Sequence, residues 1–129
     1  MKPIYTLEEL KPDSSGVIGG IRPGRSTDAN AAYAASIIKA DYFIKLTDVD
    51  GVYDKDPKKH ENARKLNHIS VKEIAKYAQE GRPGSYGVLD KLAVETIGKH
   101  EIKTIIMNGS NPENILKALT GEKTGTLIA

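Results

Sequence analysis

Apolar positions along this chain repeat with two different spacings, and the spacings mark out its elements. Val17-Ile18 reads as a short strand that runs into Gly19-Gly20. Small and apolar residues then recur three and four apart at Ala29, Ala32, Tyr33, Ser36, Ile37 and Ala40, predicting a helix with this core face. Its start falls near Ser26-Thr27-Asp28, residues suited to an N-cap. Positions 42–47 form an apolar run that predicts a buried strand. Residues 54–68 are charged and irregular, with a turn at Asp56-Pro57. Ser70-Val71-Lys72-Glu73 has the form of a capping box and opens a helix to about Gln79. After the loop Glu80 to Ser85, a helix from about Val88 to Lys99 presents Leu89, Leu92, Ala93, Thr96 and Ile97. Ile102 to Met107 is a strand rich in β-branched residues, Asn111-Pro112 opens a short helix to Leu119, and Gly125 to Ile128 closes as a strand. About four strands are visible. Their alternation with helices predicts one α/β domain over residues 1–129, with a mainly parallel sheet covered by helices on both faces.

Composition removes several classes of function. The 19 Lys and Arg nearly balance the 17 Asp and Glu, and a net charge of +2 gives no electrostatic case for nucleic acid or a membrane surface. Trp is absent and aromatics are sparse, which argues against a base-stacking platform. Without cysteine there are no disulfides and no thiolate metal sites. No apolar stretch approaches the length of a membrane span. The start, Met1-Lys2-Pro3-Ile4-Tyr5, lacks a signal-peptide core, so a cytoplasmic protein is expected.

Two loops carry candidate chemistry. Gly19-Gly20-Ile21-Arg22-Pro23-Gly24-Arg25-Ser26-Thr27-Asp28 joins a strand to a helix N-terminus. Its glycines permit close backbone approach, and the free amides of a first helical turn favour a phosphate. Arg22 and Arg25 add cationic donors. It is neither a P-loop nor Gly-x-Gly-x-x-Gly, and a tight turn with a plain N-cap explains it equally well. The second loop runs from Thr47 to Pro57 and holds Asp48, Asp50, Asp54 and Asp56. The alternation mimics a calcium loop. Counting from Asp48, however, Gly51 comes too early and the twelfth position is Lys59, not glutamate. The open choices are a charged surface turn or a nucleotide site. In the latter, Thr47 and Asp48 offer polar contacts at the strand end, Tyr53 faces a base or ribose, and Asp56 accepts from sugar hydroxyls or base amino groups.

Taken together, the glycine-rich turn, the Ser-Thr-Asp-Ala helix start, the strand, and Thr-Asp-Val-Asp-Gly-Val-Tyr-x-x-Asp-Pro resemble the amino-acid kinase superfamily. The best match within it is the UMP kinase family of the archaeal type. Gly84 to Ala93, Ile105 to Gly109, and Gly121 to Ile128 resemble that family's late helix start and C-terminal strands, so the resemblance covers nearly all of the chain.

The resemblance implies a three-layer α/β/α sandwich equivalent to the C-terminal, nucleotide-binding half of a UMP kinase, a truncated amino-acid-kinase-like fold. It implies phosphoryl transfer from ATP to UMP with Mg²⁺, and hexameric assembly in the family. Ile21, Arg22, Pro23, Gly24, Arg25, Ser26 and Thr27 would line the UMP site. Thr47, Asp48, Tyr53 and Asp56 fall at ATP-binding positions. Asp48 stands where the family often has Asn. Asp28 matches a catalytic aspartate that orients phosphate-binding lysines. Family members are nearly twice as long, and their N-terminal half carries a Lys-x-Gly-Gly-Ser phosphate loop that has no counterpart before Gly19. The expectation is a uridylate-kinase-related, nucleotide-binding protein that forms a homo-oligomer or pairs with an N-terminal half. The alternatives are a non-catalytic regulatory module and another superfamily member acting on carbamate, isopentenyl phosphate, aspartate or acetylglutamate.

The remaining conspicuous residues have plainer readings. Tyr33 reads as packing, Tyr86 as a surface loop residue, and His60, His68 and His100 as solvated. Asp90-Lys91 reads as a helix cap, and the resemblance implies Lys91 as a catalytic candidate.

Overall fold

The computed structural model describes residues 3–19, 26–80 and 89–129. Two short strands, β1 (Pro3–Ile4) and β2 (Val17–Ile18), pair in parallel around a 3-10 turn at Leu7–Glu9. Then come α1 (Thr27–Ile37), β3 (Phe43–Thr47), β4 (His68–Ile69), α2 (Val71–Glu80), α3 (Lys91–Lys99), β5 (Thr104–Asn108), α4 (Glu113–Leu119) and β6 (Thr126–Ile128). The described residues thus hold six strands, not four. The two-residue strands β1 and β4 are too short to produce a period.

The main sheet has the order β3-β5-β6-β4. β3 and β5 run parallel, with Phe43 opposite Thr104 and Thr47 opposite Asn108. β6 enters antiparallel beside β5, with Ile106 opposite Thr126, and β4 lies parallel to β6. Three of the four pairings are parallel, as the helix–strand alternation predicts.

Successive strand residues point to opposite faces, and this splits the core in two. Phe43, Ile69, Ile106 and Ile128 face α1, α2 and α3, where they meet residues such as Ala32, Ile74 and Ile97. Ile105 and Met107 face the other way and pack with Ile44 and Leu127 against Ala118 and Ile115 of α4. Helices therefore cover both faces, giving the expected three-layer α/β/α arrangement.

The predicted helix starts are built from caps. The Ser26 hydroxyl accepts from the Ala29 amide at 3.0 Å, and Asp90 Oδ1 accepts from Ala93 at 2.8 Å. Ser70 Oγ accepts from Glu73 at 3.2 Å, and Asn111 Oδ1 accepts from Glu113 at 3.1 Å. Each satisfies an amide that has no partner within its helix.

Two helix faces are rotated from the predicted ones. On α1 the buried residues are Ala29, Asn30, Ala32 and Ala35, while Tyr33 is 39% exposed and meets His100 edge-on at 6.3 Å. On α3, Val94 is buried and Leu92 is exposed. The loop residues 81–88, including Tyr86, lie outside the described residues.

Candidate functional site

β3 and β5 end side by side at Thr47 and Asn108. The carboxyl ends of parallel strands are where open α/β sheets bind ligands. The Gly109 amide donates to the Thr47 carbonyl at 2.9 Å and ties the two strand ends together. Beyond Thr47 the chain descends through Asp48 and Asp50 to Gly51, where it presses against β6. A Cβ at position 51 would stand 2.5 Å from Thr126 Oγ1, so only glycine fits without a shift. The same hydroxyl accepts from the Val52 amide at 2.8 Å and donates to the Leu66 carbonyl at 2.5 Å. From there Val52 to Asp54 forms a short antiparallel ladder with Arg64 to Leu66, centred on a Tyr53–Lys65 bridge. The region expected to be irregular is thus partly a hairpin, and it sets the position of Tyr53.

A cleft of about 350 Å³ opens at this end of the sheet. Asp50 and Tyr53 line one side, Asn108 and Met107 the end of β5, and Lys65 and Lys123 supply cations. Asn108 Nδ2 donates to the Asp48 carbonyl and to Asp50 Oδ1, both at 3.4 Å, while its Oδ1 accepts from the Ser110 amide at 2.8 Å. A roomier depression of about 760 Å³ lies at the opposite strand ends, around Tyr42 and Lys103. It is open, shallow and holds none of the candidate residues, so the smaller cleft is the one to consider.

The predicted site residues separate. Tyr53 lines the cleft. Thr47 and Asp48 stand at its edge, with the Thr47 hydroxyl donating to Asp48 Oδ1 at 3.3 Å, and are not lining residues. Asp56 is 8% exposed and serves its own turn. Its Oδ1 accepts from the Lys58 amide at 2.8 Å, and its carbonyl accepts from His60 at the same distance. Asp28 sits in the first turn of α1, where its Oδ1 receives Lys45 Nζ at 2.6 Å. Ser26 and Thr27 begin the same helix. Ile21, Arg22, Pro23, Gly24 and Arg25 lie outside the described residues.

Lys45, Asp50 and Asn108 are the residues that sequence reasoning missed as participants. Lys45 shares a β3 face with Phe43 and Thr47, so it projects toward α1. A lysine in the centre of an apolar strand was the available signal, since such a charge needs a partner. Asp50 was one of four aspartates with nothing local to single it out. Among the described residues no three His, Asp or Glu side chains cluster as a metal cage. A nucleotide-borne Mg²⁺ needs only one or two protein carboxylates beside phosphate oxygens and water, and the exposed Asp48 carboxylate fits that donor set.

Comparison with known proteins identifies the family and the fold. The model of the amino acid kinase family matches residues 10–108. The chain is 40% identical over 126 residues to the uridylate kinase of Methanobrevibacter smithii, covering 94% of this chain and 56% of that protein. With the uridylate kinase of Archaeoglobus fulgidus it shares 44% identity over 115 residues, 88% of this chain and 52% of the relative. The crystal structure of uridylate kinase from Archaeoglobus fulgidus superposes with a TM-score of 0.74 at 45% identity, over 87% of this chain and 50% of that one. The chain spans about half the length of the curated relatives it matches.

Proposed function

This chain belongs to the amino acid kinase family and is uridylate-kinase-like, and on that premise we propose that it binds nucleotides and takes part in phosphoryl transfer from ATP to UMP. The observation that carries the proposal is the cleft at the ends of β3 and β5, lined by Tyr53, Lys65 and Lys123 next to a family-matching strand and loop. In this reading ATP occupies the cleft, with Thr47, Asp48 and Tyr53 in contact and Asp56 acting through the turn that it stabilises. UMP lies toward Ser26 and Thr27, with Arg22 and Arg25 as cationic hydrogen-bond donors to its phosphate. Asp28 holds Lys45 at the start of α1, between the two.

Phosphoryl transfer is mostly alignment and charge stabilisation. Mg²⁺ supplies charge neutralisation on the ATP phosphates, and Asp48 is the carboxylate that would face it. The 129 residues contain no Lys-x-Gly-Gly-Ser phosphate loop. We therefore propose that turnover needs those cations from an N-terminal half, and that the working assembly is a pairing with that half or a homo-oligomer in the cytoplasm. Among the described residues no helix is long and apolar enough to cross a membrane.

The test is UDP formation from ATP and UMP by the purified chain, alone and mixed with the N-terminal half of an archaeal uridylate kinase. Turnover only in the mixture is the expected result. Rapid turnover by the chain alone would show that no second half is needed. Nucleotide binding without turnover in either case would favour the second reading, a non-catalytic nucleotide-binding module. The half-length match to known kinases is what keeps that reading in view.

A further inference from the structure

Resting on the reading of this cleft as the donor-nucleotide site, we propose that Asp50 is the residue that distinguishes a ribonucleotide from its deoxy counterpart, by accepting hydrogen bonds from the sugar hydroxyls. Asp50 is the one carboxylate among the described residues lining the cleft, where Lys65 and Lys123 are the cations. An ionised carboxylate only accepts. A nucleotide offers it two kinds of donor, sugar hydroxyls and base amino groups, while its phosphates are repelled and drawn to the lysines.

Depth decides between the two donors. Tyr53 is half-buried on the cleft wall, and its ring suits the flat face of a base. Asp50 is exposed at the rim. A base seated against Tyr53 leaves its sugar at the level of Asp50. A carboxylate reading ribose hydroxyls is the device of dinucleotide-binding folds, reached here from a different loop.

The side chain is also held for the task. Ser110 donates to Asn108 Oδ1 at 2.8 Å, which turns the Asn108 amide nitrogen toward Asp50 Oδ1. Among the described residues the second Asp50 oxygen takes no hydrogen bond, so it stays open to the cleft. Asp56 was the aspartate expected to accept from sugar hydroxyls, but it is buried in its own turn and does not line the cleft.

The experiment is isothermal titration of the whole chain with ATP, 2′-deoxyATP and 3′-deoxyATP, repeated on Asp50→Ala, with circular dichroism to confirm that the variant is folded. Loss of a hydrogen bond to a charged group predicts that at least one deoxy nucleotide binds the wild type about tenfold more weakly than ATP. Asp50→Ala should bind ATP about tenfold more weakly and no longer tell the three apart. If the wild type binds all three equally, or Asp50→Ala keeps the discrimination, the assignment of Asp50 is wrong while the cleft remains a nucleotide site. If the wild type binds no nucleotide, the reading of the cleft fails and this inference fails with it. Asp50→Asn, which keeps the side chain's shape and removes its charge, gives the same readout if Asp50→Ala does not fold.

Discussion

Lys45 Nζ lies 2.6 Å from Asp28 Oδ1, joining the middle of β3 to the first turn of α1. Both side chains are about a quarter exposed. The carboxylate is doubly favoured, by the lysine and by the positive end of the helix. Partial exposure weakens the pair through screening. A double-mutant cycle with Asp28→Asn and Lys45→Met should give a coupling energy of about 1 kcal/mol in urea titrations. If the pair also orients a phosphate, Lys45→Met will depress nucleotide binding at low salt more than Lys45→Arg does. Equal effects of the two would leave the pair a purely structural clamp.

Ser26 has two assignments, a helix cap and a contact for UMP. Its hydroxyl already accepts from Ala29. Ser26→Ala should therefore lower stability by about 1 kcal/mol, as losing a cap does. Ser26→Asp keeps the cap and places a negative charge where an acceptor phosphate would approach. Titration of UMP into both variants separates the roles: Ser26→Asp should retain stability and lose UMP affinity.

Gly51 and Thr126 form the contact that seats the nucleotide loop on the sheet. Gly51→Ala would drive a methyl group to within 2.5 Å of Thr126 Oγ1. We expect a loss of about 2 kcal/mol, typical of overpacking in a close contact. Thr126→Val removes the hydroxyl that serves the Val52 amide and the Leu66 carbonyl. Leaving buried backbone groups unpaired costs about 1–3 kcal/mol, so this variant should be at least as unstable. Hydrogen exchange at Val52 provides the local readout, and it should accelerate in both.

Asn30 is buried in α1, and among the described residues neither its Nδ2 nor its Oδ1 has a hydrogen-bond partner. A buried amide without partners is unfavourable by about 1–3 kcal/mol. Asn30→Leu has a similar shape and should raise the melting midpoint, with a gain of about 1 kcal/mol. A lower midpoint would mean that the amide is satisfied by a group beyond the described residues.

How much of this could be read in advance depends on sequence distance. The caps at Ser26, Ser70, Asp90 and Asn111 act over two or three residues, so their motifs sufficed. The long strands β3 and β5 announced themselves by β-branched and aromatic content. The face of α1 did not, because Thr27–Ile37 is so rich in alanine that its apolar and polar sides barely differ, and Tyr33 pulled the predicted face toward itself. β4 is two residues long and exists because Leu127 and Ile128 pair with it from the far end of the chain. The site shows the same division. The loop from Thr47 to Pro57 was recognisable as a ligand loop, but which aspartate faces the cleft was not. Asp56 is withdrawn by a local turn, whereas Asp50 is held by Asn108, 58 positions away. The Lys45–Asp28 pair spans 17 positions and leaves no local signature either.

The antiparallel strand β6 sits between β5 and β4. During synthesis β4 emerges long before any neighbour it can pair with, and β5 has β3 on one side and nothing on the other. The sheet becomes continuous only once residues 126–128 leave the ribosome and slide between two waiting edges. Until that moment β4 and the β6 side of β5 are unpaired, the kind of surface that chaperones hold and that other chains adhere to. Without residues 126–128 the four-stranded sheet would be left as a β3–β5 pair and a separate β4.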